Sequence, residues 1–407
     1  MKRKILIPIL CCLLLCLGAG LALAAPSVKI SGSKVTVEEG VTDAIMEEIK
    51  KGVGEAKGLE FTLRKLNANA DLEKICAAYP DMVKLEVGAG DGLTSLAPVA
   101  KLTKLQSLTI TAPSVTDLSP LSGLTELTYI NIDAKSAGPD LKWMSGLVKL
   151  SQVRFDAGEN LVSFEGIPSV PNFRNITITG AAPADLTPLT AFSGLRTLNL
   201  DNCVIADLTP LASLARLDML NLRGAKVKDF SPLAGCRALK TLWVGRTQEA
   251  DYATLGKLVN LTELKTGATA IDTISWISGL TKLKTLAMSS ENITDYSPLA
   301  GLQLEELELW SMEAEVIDLG FLSGMTSSMK KLALDELTGV SNLNVLPTLS
   351  SLTSLSIVKL GVKGGEAIPI DQLKKLPNLE ELTISRDVFT DAQLTGFANS
   401  NISINQR

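Results

Sequence analysis

From Met82 onward the aliphatic residues recur in a fixed pattern, L-x-x-L-x-L, carried by a unit of 22 or 23 residues that repeats about fourteen times. The units open at Met82, Leu105, Leu127, Leu150, Phe173, Leu195, Leu217, Leu239, Leu261, Leu283, Leu304, Met329, Leu352 and Leu379. A period of this length is the signature of a stacked solenoid. Within a unit the last apolar positions alternate with polar ones, as Leu198 and Leu200 do with Thr197, Asn199 and Asp201. That alternation predicts a short strand with one buried and one open face. A second apolar set, such as Ile205, Leu208, Leu211 and Leu214, marks the return to the next strand. The return has only about a dozen residues, too few for a long helix, and often carries proline in one register, as in Asp207-Leu208-Thr209-Pro210-Leu211 and Asp229-Phe230-Ser231-Pro232-Leu233. Proline fixes φ and lacks an N–H, so a short 3₁₀ or extended segment is expected there.

The predicted fold is therefore an α/β solenoid: a horseshoe with a concave parallel β-sheet and a short 3₁₀ or extended convex side. A lone unit burying about seven aliphatic side chains gains roughly 10 to 20 kcal/mol, against ~1 to 2 kcal/mol of backbone entropy for each of its residues. One unit cannot fold alone, so stability must come from stacking, and the two ends need covers. Residues 25–81 are expected to form an N-terminal cap, with helical patterns at Ala44, Ile45 and Ile49 and at Leu72, Ile75 and Cys76. The solenoid then occupies 82–385. A C-terminal cap, 386–407, is expected to open with a capping box at Thr390 and Gln393 leading toward Phe397. Unit spacing stretches to 25 from Leu304 to Met329 and to 27 from Leu352 to Leu379, so loops are expected to project near 313–321 and 361–369.

The L-x-x-L-x-L strand, the 22-residue period and the D-L-[ST]-P-L-x-x-L return together resemble the bacterial leucine-rich repeat proteins of the internalin type, over about residues 82 to 400. The resemblance implies a secreted or surface binding module whose concave strands contact the ligand. At one position the chain departs from it. The family places Asn just after the strand, whereas Pro113, Cys203, Ala225, Thr247, Thr269 and Glu291 stand there in this chain, so the turn amides need other acceptors.

Residues 1–24 carry Lys2, Arg3 and Lys4 before an apolar run that closes on Ala22-Leu23-Ala24, the pattern of a cleaved signal peptide. The run is also close to a membrane-spanning length, so a retained anchor is the alternative. Cleavage would leave a secreted or periplasmic product with no membrane span. It would also take away three cations, leaving 36 against 44 acidic residues, a formal charge of −8 in place of −5. Nucleic acid is not an expected partner of so acidic a chain. Cys11, Cys12 and Cys16 would leave with the signal. The odd set Cys76, Cys203 and Cys236 fits no metal or disulfide framework and reads as small buried thiols.

The chain contains no histidine, which removes the usual general base and the commonest zinc ligand. Asp133, Asp156 and Asp201 share a strand register, but solvated carboxylates on an open sheet make neither a catalytic pair nor an EF-hand-like loop. No catalytic residue, metal site or cofactor is expected. What remains is the inner face, where Trp243 and Trp310 point into the concavity while Trp143 and Trp276 take the proline place on the return. The expected contacts are Tyr129, Arg154, Asp156, Asn199, Asp201, Asn221, Arg223, Trp243, Arg246 and Lys265, because exposed rings beside arginines anchor protein partners. A non-enzymatic, monomeric protein-binding module is the expected function. A glycan or peptidoglycan binder is the alternative, since the same polar and aromatic face could stack a sugar.

Overall fold

The computed structural model describes residues 28–407 apart from 67, 89–91, 171–172, 247–249, 268–270, 290–291, 313–316, 364–366, 386–396 and 398–401, with backbone only at 311 and 312. The expected signal segment 1–24 and the capping box at Thr390 and Gln393 lie outside the described residues. Among the described residues, eighteen strands form one open sheet. Val28–Ser31 runs antiparallel to Lys34–Val37 at one edge, and every later pairing is parallel, in sequence order. The register stacks like on like. Leu198, Leu220, Leu242, Leu264 and Leu286 stand side by side in consecutive strands and are completely buried. The aliphatic ladder read from the sequence is thus the core of a leucine-rich repeat solenoid, with the sheet as its concave side.

The parallel ladder includes Lys34–Val37 and Glu60–Leu63, ahead of the first L-x-x-L-x-L unit. These strands return through α-helices, Asp43–Val53 and Asn69–Ala78, where the helical patterns were expected. Thr42 caps the first by accepting the Ile45 N–H at 3.3 Å, while Asp43 and Lys50 suit the two ends of its dipole. Ile45, Ile49 and Val53 bury one stripe of it.

Beyond these, most returns carry 3₁₀ segments; the return from Asp156 to Asn175 shows none among its described residues, and the one after Ser354–Ile357 carries a single α-helical turn, Ile370–Leu373. Proline takes the first or second position in Ala97–Lys101, Ser119–Leu121, Thr187–Ala191, Thr209–Ser213, Ser231–Gly235 and Ser297–Leu299, where its missing N–H has no intrahelical partner to lose. The aspartate of the motif closes the turn. Asp117, Asp185, Asp207, Asp229 and Asp295 each accept the N–H of the Ser or Thr two residues on, at 2.7 to 2.8 Å. The hydroxyl of that same residue, and then its N–H, hold each carboxyl below the usual range.

Main chain replaces the missing asparagine ladder. The N–H groups of Asn202, Gly224 and Arg246 donate to the carbonyls of Arg223, Gly245 and Gly267 in the next repeat at 2.7, 2.9 and 3.0 Å. Cys203 and Ala225 fill the interior beside these turns, and the Cys203 thiol donates to the Ile178 carbonyl at 3.3 Å. Thr247, Thr269 and Glu291 lie outside the described residues. The three cysteines described are free and buried, and burial pushes their thiols up to about 12 for Cys76 and Cys203 and about 11 for Cys236.

One expectation needs correction. The long unit after Leu304 does not project at 317–321, where Ile317 and Leu319 are fully buried and Phe321 is 6% exposed. Its extra length makes room for a strand on the return. Ile317–Asp318 pairs in parallel with Val340–Ser341, and a bridge from Val340 to Val362 carries that small second sheet into the next repeat. Among the described residues no helix is long and apolar enough to cross a membrane.

Candidate binding site on the inner sheet

Strand alternation lines the inner face with three rows of side chains. The middle row runs Asn131, Arg154, Thr177, Asn199, Asn221, Trp243, Lys265, Ala287 and Glu308, one per strand. Two residues later the next row runs Asp133, Asp156 and Thr179, and continues through Asp201, Arg223, Gly245, Gly267, Ser289, Trp310 and Asp335. The two rows change character together at Arg223 and Trp243, where polar side chains give way to cations, rings and glycines.

Five of the ten expected contacts meet there. Asp201, Arg223, Trp243, Arg246 and Lys265, with Asn202, Val244, Gly245, Gly267 and Trp310, line a depression of about 430 Å³. The Trp243 ring is held from both neighbouring strands, with the Arg223 guanidinium carbon 5.7 Å and the Lys265 ammonium 5.2 Å from its centroid. Such cation–π contacts contribute about 0.5 to 1 kcal/mol each at exposed sites. Hydrogen bonds fix the ends of the cluster. Arg223 reaches Asp201 at 2.8 Å, and Glu263 accepts the Trp243 indole N–H at 2.9 Å while lying 3.6 Å from Lys265.

The floor is glycine for steric reasons. A Cβ on Gly245 would strike the carbonyl oxygen of Gly267, and one on Gly267 would meet Trp310 Cζ2 at 3.0 Å. Trp310 therefore reaches across two strands to lie at Gly267. Arg246 stands at the rim with φ of +55°, in the left-handed turn position that Gly180, Asn202 and Gly224 fill in the preceding repeats. Its guanidinium approaches the Asn202 side-chain oxygen at 3.5 Å.

The other five expected contacts lie elsewhere or serve the sheet. Tyr129, Arg154 and Asp156 sit two or more strands upstream, Arg154 exposed and Asp156 held by Thr179 at 3.0 Å and Lys135 at 3.3 Å. Asn199 and Asn221 each turn a side-chain oxygen back to the N–H two residues on, Asp201 at 3.0 Å and Arg223 at 3.1 Å. Asn221 is only 1% exposed, and its Nδ2 has no hydrogen-bond acceptor. We accordingly set Asn221 apart from the surface contacts; it supports Arg223 from below. Beside Asp156, one carboxylate oxygen of Asp133 is buried without a partner, and burial raises its carboxyl above the usual range, Lys135 pulling it down and Asp156 adding to the rise.

Sequence reasoning missed the glycine floor, although Gly245 and Gly267 at one register position were a visible break in the row. Among the described residues no group of three or more potential ligands could hold a metal ion.

Comparison with known proteins agrees with this architecture. The chain matches an internalin, InlF, of Listeria monocytogenes at 20% identity with a TM-score of 0.53, covering 86% of each chain. It also matches a leucine-rich repeat protein of Leptospira interrogans at 16% identity with a TM-score of 0.55, covering 80% of this chain and 90% of that one. No family model matches, and no curated protein matches significantly. The fold is thus that of the bacterial, internalin-like leucine-rich repeat proteins. At these identities the likeness extends to fold alone.

Proposed function

We propose that the chain is an exported, non-enzymatic leucine-rich repeat protein that acts as a monomer, secreted or in a periplasm, and captures a protein partner on its inner sheet. The observation that carries this reading is the cluster of Arg223, Trp243, Arg246 and Lys265 around one depression, a grouping of ring and guanidinium typical of interface anchors. Tyr129, Arg154, Asp156, Asn199 and Asp201 would extend the contact along the sheet. A glycan is the second reading, favoured by the Trp310 ring beside the glycine floor.

Crosslinking of the tagged protein in its native cell, with photoreactive groups on the inner face, tests the first reading. Capture of a defined protein that is lost in the Arg223→Ala/Trp243→Ala double variant is the expected result. Capture unchanged by that variant would remove the inner sheet from recognition. Tryptophan emission that responds to oligosaccharides in the intact chain but not in Trp243→Ala would favour the glycan.

A further inference from the structure

We infer that the glycine-floored depression is a subsite for a carboxylate of the partner, an Asp or Glu side chain presented on an extended protein segment beside an apolar residue. This rests on the protein-binding reading above and specifies the chemistry of what is bound.

The chain carries a formal charge of −5, yet this lining contributes Arg223, Arg246 and Lys265 against Asp201 alone. Asp201 is committed to Arg223 at 2.8 Å, and the Glu263 carboxylate near Lys265 also holds the Trp243 N–H. Among the described residues no carboxylate pairs with Arg246. With Arg223 and Lys265 each beside a carboxylate, Arg246 is the lining cation left over among the described residues, and a partner's carboxylate is the group that would complement it.

Arg246 adds an independent argument. Its φ of +55° disfavours any residue with a Cβ, and the equivalent turns are made with Gly180, Asn202 and Gly224. Glycine would serve the turn better, so the guanidinium stands at the rim at a conformational cost that the turn itself does not require.

The surroundings of Trp243 favour an acidic peptide over a sugar. Arg223 and Lys265 approach the Trp243 ring from opposite neighbouring strands. A sugar stacking on that ring would have to displace a cation, whereas a carboxylate only adds to the pair. The volume of about 430 Å³ takes one side chain and its neighbours rather than a helix, and Trp310 offers the apolar wall for a residue next to the acid.

The test is selection of random dodecapeptides displayed on phage against the immobilised full chain, followed by affinity measurement of the enriched peptides. Enrichment of Asp or Glu adjacent to an apolar residue is expected, with at least tenfold weaker binding in Lys265→Gln and in Arg246→Gly. Arg246→Gly is the decisive variant, because removing the strained residue should leave thermal stability equal or higher while binding falls. Enriched peptides without acidic bias, no enrichment at all, or Arg246→Gly that unfolds would each overturn the subsite. Peptides that depend on Tyr129 and Arg154 instead would defeat this subsite while leaving inner-face recognition standing. Insensitivity to both sets would defeat inner-face recognition as well. Tighter binding of oligogalacturonate than of any selected peptide would assign the site to an acidic glycan and refute the peptide proposal.

Discussion

Gly245 and Gly267 occupy neighbouring strands in one row, and alanine at each is expected to separate folding from recognition. At Gly245 the new carbon would fall on the Gly267 carbonyl oxygen, with the nitrogen and carbonyl carbon of Gly267 at 3.2 and 3.3 Å. All three atoms are main chain, and the same carbonyl accepts the Arg246 N–H at 3.0 Å. The two strands must part, and overpacking of this kind costs about 1 to 3 kcal/mol. At Gly267 the new carbon meets the far edge of the Trp310 ring, at 3.0 and 3.6 Å. That ring can tilt about its side-chain bonds, so the expected cost is under about 1 kcal/mol. Hydrogen exchange on the full chain reads the difference locally. Gly245→Ala is expected to speed exchange in Met219–Asn221, Thr241–Gly245 and Glu263–Gly267 roughly 5- to 150-fold, the equivalent of about 1 to 3 kcal/mol. Gly267→Ala is expected to speed exchange by less than about fivefold, the equivalent of under about 1 kcal/mol, while shifting Trp310 emission and weakening binding in the depression. Wild-type exchange in Gly245→Ala would refute the claim that close strand approach dictates this glycine.

Three further outcomes follow from buried and titrating groups. The five turn aspartates have carboxyls held below 3.8, so their contribution to stability is complete above that value and is lost as pH falls through their folded-state values; the urea midpoint should drop below about pH 4, and Asn at all five positions, which keeps the acceptor but cannot titrate, should flatten the drop. Asp133 has the opposite sign, because burial raises its carboxyl and the folded state prefers the proton. Its penalty is present above the folded-state value and vanishes below 3.8, so Asp133→Asn should raise the urea midpoint at pH 7 and leave it unchanged at pH 3; equal effects at both values would sink this reading. The buried thiols of Cys76, Cys203 and Cys236, raised to about 11 or 12, should resist an aromatic disulfide reagent until denaturant opens the repeats, and rapid native labelling would contradict their burial.

The solenoid was legible because each core position is written about fourteen times. Period-2 alternation at Leu198 and Leu200 placed the strands and named the inner face. The proline register placed the 3₁₀ returns. Half of the site was legible for the same reason, since alternation identifies which charged and aromatic residues face inward. The rest depends on side-chain conformation across several strands. That Trp310 reaches back to Gly267, that Asn221 is covered, and that Asn199 spends its oxygen on its own turn are not encoded in any one repeat. The small second sheet at Ile317 was hidden similarly, because additional residues in a unit read as a loop until the next unit, of ordinary length, supplies a partner strand at Val340–Ser341.

In a periodic sheet the information lies where a row stops repeating. The row that runs Asp133, Asp156, Thr179 and Asp201 changes to Arg223 and then loses its side chains at Gly245 and Gly267, so an acidic segment meets opposite signs on the two sides of Arg223. Distance decides whether this matters. Asp156 and Arg223 are three strands apart, about 14 Å at ~4.8 Å per strand, beyond the screening length of about 8 Å at physiological salt. The upstream acids therefore cannot weaken the depression itself; they act only on whatever a partner lays over them. An extended chain spans that distance in about four or five residues at ~3.3 Å each. Asp156→Asn is thus expected to leave the affinity of an acidic tripeptide unchanged and to tighten binding of acidic dodecapeptides that run toward Asp156, with the gain disappearing in high salt. A tripeptide that gained as much as the dodecapeptides would show that the two charge regions are coupled through the protein, and the argument from screening would fail.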